Sequence, residues 1–270
     1  MSDNVAVSVK DLHFAYDKTE VLHGVSFDVN EGDLLFLLGP NGSGKTTLFK
    51  CLLRLYDPSS GSIFIDGQDI HKMSIQALAR KMAYIPQAHF PSFNYTVLEA
   101  VVMGRTSYIK NNSAPKADDY DAAIAALDKL GIAHLKDKGY AHISGGERQM
   151  VLIARALTQK SKVLIMDEPT ASLDYGHQMT VLSVVKNLAK EGYTVILSSH
   201  NPEHAFLFAN KILMIKKGNI VAMGDPAKVV NRQLLESVYE VPMDLLDVTR
   251  TENDFSRNYK VCVPVFNEGI

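Results

Sequence analysis

The run Gly39-Pro40-Asn41-Gly42-Ser43-Gly44-Lys45-Thr46-Thr47 holds the residue types needed to grip a phosphate. It fits the spacing G-x-x-x-x-G-K-[ST]: glycines free the backbone to turn N–H groups toward an anion, and Lys45 supplies a cation. The Thr46 hydroxyl is of the kind that ligates Mg²⁺ beside a bound phosphate. The loop follows the apolar run Leu34 to Leu38 and precedes a helical stretch from Lys45 to Leu55. A helix N-terminus therefore adds its positive potential at the same place.

A second pair of reactive groups closes the segment Val163-Leu164-Ile165-Met166-Asp167-Glu168. Asp167 ends an apolar strand, where a carboxylate can stand beside Mg²⁺ through water, and Glu168 can accept a proton from an attacking water. Two acidic residues at the exposed end of a buried strand are also an ordinary structural feature. A third element, Ser144-Gly145-Gly146-Glu147 ahead of the helical stretch Arg148 to Leu157, matches the S-x-x-E capping box. Its adjacent glycines are more than a cap requires and would let a phosphate approach the helix N-terminus, so helix cap and second anion site both stand as readings.

The elements that must carry these groups follow from hydrophobic period. Val5, Val7 and Val9, then Val21 to Val29, alternate as antiparallel strands do, whereas Leu34 to Leu38 is apolar throughout and predicts a strand buried on both faces. Further strands are predicted at Lys81 to Pro86, Lys162 to Asp167 and Thr194 to Ser199, with helical patterns between them, which implies a mainly parallel α/β sheet. From Gln87 to about Gln159 helical patterns such as Val97 to Met103 and Asp121 to Leu130 replace the strands, so a helical subdomain over about 88–159 is expected, with a surface loop at Lys110 to Lys116. Beyond Ser199 the pattern predicts a helix at Glu203 to Phe208, a hairpin turning at Lys217-Gly218 and a helix start at Asp225-Pro226. Residues 241–270 are read as an appendage to a domain spanning 1–240, with one strand predicted from the alternation of Val261, Val263 and Val265.

Composition sets the outer bounds. The chain has 270 residues, 46% of them hydrophobic and 21% charged, which suits a folded globular protein with a sizeable core. A net charge of −2 without basic runs argues against holding a nucleic-acid backbone by charge. Cys51 and Cys262 lie far apart without metal-ligand spacing, which points to buried thiols in a reducing compartment. The sequence from Met1 shows no leader pattern and the apolar runs are only strand-sized, so if the protein works at a membrane another chain is expected to cross it.

Taken in order, these motifs resemble the ATP-binding subunit of an ABC transporter over roughly residues 5 to 240. The resemblance implies a P-loop ATPase core with an antiparallel β subdomain and an inserted helical subdomain, and it brings ATP and Mg²⁺ as cofactors. Tyr16 matches the aromatic residue that stacks on adenine, with packing in the β layer as its alternative. Gln87 matches the Q-loop glutamine, a Mg²⁺ or water ligand, and is otherwise a polar loop residue. Ile143 to Glu147 match the signature, with Ile143 and Glu147 departing from the commonest form. Ser172-Leu173-Asp174 match the D-loop, where Asp174 could equally cap the next helix. His200 matches the switch histidine that senses the γ-phosphate. The resemblance thus implies Glu168, His200 and Gln87 as catalytic residues, Thr46, Gln87 and Asp167 as Mg²⁺ ligands, and Gly39 to Thr47 as the phosphate loop.

One chain carries one phosphate loop and one signature, and in this family the two face each other only across a dimer. ATP is therefore expected between Lys45 and Thr46 of one copy and Ser144, Gly145 and Gly146 of a second. Chromosome and repair relatives would need a coiled coil between the nucleotide motifs. Only about 117 residues separate Lys45 from Lys162, and they show no heptads. What remains resembles an importer motor serving two copies of a polytopic permease subunit at the cytoplasmic face of the inner membrane, fed by an external or periplasmic binding protein. Tyr95 to Arg105 is similar to the segment after the Q-loop in the iron-siderophore, haem and cobalamin group, and Pro115 to Asp121 to molybdate and tungstate members. A soluble ATPase of DNA repair or translation and an exporter motor are the alternatives.

Overall fold

A run of five consecutive apolar residues can be buried on both faces only inside a sheet covered on both sides, and Leu34–Leu38 is such a strand. A computed structural model describes residues 4–87, 94–109, 113–252 and 255–265. In chain order the elements are β1 (Val5–Tyr16), β2 (Thr19–Asn30), β3 (Leu34–Leu38), α1 (Lys45–Leu52), β4 (Ser60–Ile65), β5 (Gln68–Asp69), α2 (Ile75–Lys81) and β6 (Met82–Ile85). There follow α3 (Val97–Val102), α4 (Ala117–Lys129), α5 (Gly145–Thr158), β7 (Val163–Met166), α6 (Tyr175–Lys190), β8 (Thr194–Ser199), α7 (Pro202–Phe208), β9 (Lys211–Lys216) and β10 (Asn219–Gly224). The last are α8 (Pro226–Val229), α9 (Arg232–Tyr239), β11 (Met243–Glu252) and β12 (Phe255–Pro264).

The central six-stranded sheet has the order β10-β9-β3-β8-β7-β6 and is parallel except for the hairpin β9–β10. A four-stranded antiparallel sheet, β2-β1-β4-β5, forms the second β layer. Side-chain alternation along the central strands divides the interior in two. Leu35, Leu37, Val163, Ile165 and Ile196 face a core shared with α1 and the antiparallel sheet. Leu34, Phe36, Leu38, Leu164, Met166 and Leu197 face a core shared with α3, α4, α5 and α6. Among the described residues no helix is long and apolar enough to cross a membrane.

The structure departs from the sequence expectations in several places. Helix α1 ends at Leu52 rather than Leu55, because Arg54 adopts φ +54° and the N–H groups of Leu55 and Tyr56 both turn back to Lys50 O. Helix α4 starts at Ala117, four residues before the expected Asp121, with Asp119 accepting from the Lys116 N–H at 3.0 Å. Lys110 to Asn112, part of the expected surface loop, lie outside the described residues. The single strand expected in the tail is a ten-rung hairpin, β11 against β12, and Val265 falls beyond it. Met243, Leu245 and Cys262 pack this hairpin onto the helical core, and Glu203 of α7 accepts from the Cys262 N–H at 3.2 Å.

Candidate functional site

The glycine-rich loop leaves the end of β3 and runs into α1, and its glycines serve two different needs. A Cβ on Gly39 would lie 2.3 Å from Ile215 O and 2.8 Å from Ser43 Oγ, so the loop is pressed against β9 too closely for any side chain. Gly42 and Gly44 instead have φ +75° and +107°, left-handed turns that bring the backbone around. The buried Lys45 side chain curls back inside the loop and donates from Nζ to Gly39 O at 2.8 Å and Pro40 O at 3.1 Å. Burial pulls its ammonium below the usual lysine value, while Glu168 and Asp167 pull it back up. Ser43 Oγ is buried without a hydrogen-bond partner. A cation, an unmatched hydroxyl and a helix N-terminus at one loop fit an anionic ligand such as a nucleotide phosphate.

The acidic pair is set by a single serine. Ser198 Oγ on β8 donates to Asp167 Oδ1 at 2.7 Å and accepts from the Glu168 N–H at 2.8 Å. Glu168 itself has φ +45°, a left-handed conformation rare for a residue with a side chain. Its carboxylate lines a cleft of about 300 Å³ together with Tyr16, Val21, Asn41, Lys45 and Thr46. Glu168 Oε2 stands 3.6 Å from Nδ1 of the exposed His200. Burial, and then the Asp167 carboxylate, push the neighbouring Tyr84 phenol up to about 12. Among the described residues no group of three His, Cys, Asp or Glu is arranged to hold a metal by itself. The residues present suit a magnesium ion shared with phosphate oxygens, for which Thr46 and one carboxylate suffice.

Tyr16 sits at the rim of the same cleft, 43% exposed, rather than inside the β layer. Phe14 and Tyr56 meet it edge-on, with ring centroids at 4.9 Å and 5.7 Å, and its hydroxyl is 3.4 Å from Thr47 Oγ1. The ring is thus fixed from behind and open in front, where a planar base can lie on it.

The remaining predicted residues lie on other elements and do not line this cleft. Gln87 is partly buried just past β6. Ser144 and Glu147 form a complete capping box on α5: Ser144 Oγ accepts from the Glu147 N–H at 3.2 Å and Glu147 Oε2 from the Ser144 N–H at 2.8 Å, which holds the Glu147 carboxyl below its usual range. The paired glycines are placed differently in the fold. Gly145 is exposed, whereas a Cβ on Gly146 would lie 2.2 Å from His177 Cδ2, so its missing side chain answers a contact within the chain. Asp174 caps α6, accepting from the His177 N–H at 2.9 Å. Ser198, Tyr84, Tyr56 and His177 escaped sequence reading, because nothing in strand or helix period singles out a residue that positions another.

A second concavity, about 830 Å³, opens between α2 and the helical subdomain and is lined by Ile75, Gln76, Tyr95, Met103, Tyr120 and Arg155 among others. Ile75 is 62% exposed, and Tyr95, Met103 and Tyr120 are each 38% exposed. Its base is braced by Arg105, which pairs with Asp119 at 3.0 Å and donates to Thr158 O at 2.9 Å while lying 4.0 Å from the Tyr108 ring.

Comparison with known proteins agrees with this geometry. Residues 22–171 match the family model described as ABC transporter. The chain is 36% identical to a molybdate import ATP-binding protein of Haemophilus influenzae over 242 residues, 89% of this chain and 90% of that one. It is 35% identical to a hemin import ATP-binding protein of Rhodococcus jostii, covering 84% of this chain and 77% of the other. A solved structure, an inward-facing metal-chelate type ABC transporter, superposes with TM-score 0.85 at 33% identity, covering 97% of this chain and 98% of that one. The fold that carries the phosphate loop and the acidic pair is thus that of the ABC transporter family, and the chain belongs to it as an ATP-binding subunit, an ATPase that couples hydrolysis to transport.

Proposed function

We propose that this subunit powers import of a metal chelate or metal oxyanion, an iron-siderophore, haem, cobalamin, molybdate or tungstate, through a separate polytopic permease. The likeness to a metal-chelate type transporter along nearly the whole chain carries this reading, and the molybdate and hemin relatives support it. The working unit is two copies of this chain on two permease subunits at the cytoplasmic face of the inner membrane, with an external or periplasmic binding protein delivering the cargo. Residues 1–240 are the ATP-binding domain, with the helical subdomain about 88–159, and 241–270 its appendage. The apolar concavity between α2 and the helical subdomain suits an apolar helix of the permease, since exposed Ile75, Tyr95, Met103 and Tyr120 would otherwise face water.

At the chemical centre, Tyr16 stacks on adenine, the Gly39 to Thr47 loop and Lys45 hold the phosphates, and Ser144, Gly145 and Gly146 of the second copy, with Glu147 and Asp174 beside them, close the site. Thr46, Asp167 and Gln87 would hold Mg²⁺, which would supply charge neutralisation at the phosphates. Glu168 takes the proton from the attacking water, its carboxylate aimed into the cleft by the left-handed turn and the Ser198 bond. His200 meets the γ-phosphate from beside Glu168 and stabilises charge developing on it. ATP thus draws the two copies together and hydrolysis releases them.

Two measurements test this. Glu168→Gln is expected to bind ATP, turn over at least about a hundredfold more slowly and accumulate as a nucleotide-bound dimer in light scattering. Turnover at the normal rate would remove Glu168 from its role. Purification from gently solubilised membranes is expected to recover one polytopic protein in equal amount, whereas recovery of only soluble repair or ribosomal proteins would overturn the transport reading.

A further inference from the structure

Asp174 and the α5 N-terminus come from different parts of the chain, yet one side chain touches both. His177, in the first turn of α6, receives Asp174 twice: its N–H donates to Asp174 Oδ1 at 2.9 Å, and its Nδ1 lies 2.6 Å from Asp174 Oδ2. The opposite edge of the ring lies against Gly146, where a Cβ would stand 2.2 Å from Cδ2, 2.7 Å from Cγ and 3.0 Å from Nε2. Next along the helix, Gln178 Nε2 donates to Leu173 O at 2.9 Å, tying down the residue before Asp174. A Cβ at Gly145 would in turn be in ordinary contact with Leu173 Cδ2 at 3.4 Å. The imidazole is 48% exposed, so its place is set by these two contacts rather than by burial in a core.

We propose that His177 is a positioning residue that locks the Asp174 turn and the Ser144–Gly146 turn into one rigid unit, fixing the surface this chain presents to nucleotide held by a second copy. The inference rests on the dimer reading above. A flat ring with a hydrogen-bonding nitrogen at one edge and bare carbon at the other meets both demands. An aliphatic side chain offers nothing to Asp174, and a smaller residue leaves a gap above Gly146. Neither contact involves the phosphate loop, so His177 acts on closure and turnover and not on the first capture of ATP.

The test uses the full-length chain. In the Glu168→Gln background, His177→Ala is expected to raise the ATP concentration needed for half-maximal dimerisation by about tenfold, and in the otherwise unchanged chain to lower kcat by about ten- to a hundredfold, the cost of a misplaced site. Binding of a fluorescent ATP analogue to the monomer should stay within about twofold of the parent, because Lys45 and Tyr16 are untouched. His177→Gln, whose amide reaches Asp174 and is planar, is expected to recover most of the loss, and it serves as the working variant if His177→Ala does not fold. Unchanged dimerisation and kcat in both variants overturn the inference, as does an equal loss of ATP capture by the monomer, which would mark a merely structural role. If the Glu168→Gln parent itself fails to dimerise with ATP, the dimer reading falls and is identified as the cause.

Discussion

Gly104 offers a test of the packing that shapes the helical subdomain. It lies in the helical turn after α3, at the edge of the larger concavity, and it is pressed onto the last turn of α5. A Cβ placed there would be 2.0 Å from Arg155 O, 2.1 Å from Thr158 Oγ1 and 3.0 Å from Arg155 C. Ordinary non-bonded contacts begin at about 3.5 Å, so Gly104→Ala forces the two segments apart by roughly 1 Å or more. Overpacking of this kind costs about 1–3 kcal/mol. The separation also strains the bonds that cross the same seam, Arg105 Nη1 to Thr158 O at 2.9 Å and Thr158 Oγ1 to Val101 O at 3.3 Å, each worth about 1 kcal/mol net. The expected loss is therefore about 3 kcal/mol, read as a drop of roughly 1 M or more in the urea midpoint at unchanged slope. Gly176→Ala is the matched comparison. That glycine also lies in a helix, but its Cβ would meet only Asp174 Oδ1 at 3.5 Å, so the change should be neutral or stabilise by up to about 1 kcal/mol. A loss below about 1 kcal/mol for Gly104→Ala would refute the argument from close approach.

Two further outcomes can be checked on the isolated subunit. Tyr16→Ala should weaken binding of a fluorescent ATP analogue by roughly tenfold while Tyr16→Phe stays near the parent, because the proposed stacking uses the exposed ring face and not the hydroxyl; equal affinity for all three would end the adenine proposal. The Lys116 N–H and Arg105 hold the Asp119 carboxyl below its usual value of 3.8, so its stabilising contribution is present above the usual value and lost as pH falls through the folded one. Melting temperature should thus fall steeply below about pH 4, and Asp119→Asn should flatten that slope, whereas an unchanged slope would show that Asp119 adds nothing to it.

The parts of this molecule that could be read from sequence are those where a single residue type has a single use. An all-apolar strand, a glycine-rich loop with its lysine, and an acidic pair at a strand end each announce themselves locally, and all three stand where expected. Features made by partnership were invisible. Ser198 reads as one more strand residue, yet it orients both Asp167 and Glu168. The glycine pair Gly145-Gly146 left helix cap and anion site both open, and nothing in it announced the neighbour that Gly146 has from a helix about thirty residues later in the chain. Strand β11 was missed because apolar residues occupy both of its faces: Leu245 packs inward while Leu246 and Val248 are exposed, which erases the period of two. Strands β4 and β5 and helices α2 and α9 are short or mixed in composition, and tertiary packing rather than local pattern defines them.

The central sheet has a consequence for how such a machine can change over time. Because its strands send alternate side chains into two interiors, the wall between those interiors is backbone, which hydrogen bonds hold regardless of side-chain identity. One interior backs the phosphate loop and α2, and the other backs the helical subdomain that borders the apolar concavity on its far side. Substitutions in the core behind α3 and α4 are therefore separated by the sheet from the core behind the phosphate loop. A lineage can thus adjust the helical border of the concavity by drift on that side while the core behind the phosphate loop stays as it is.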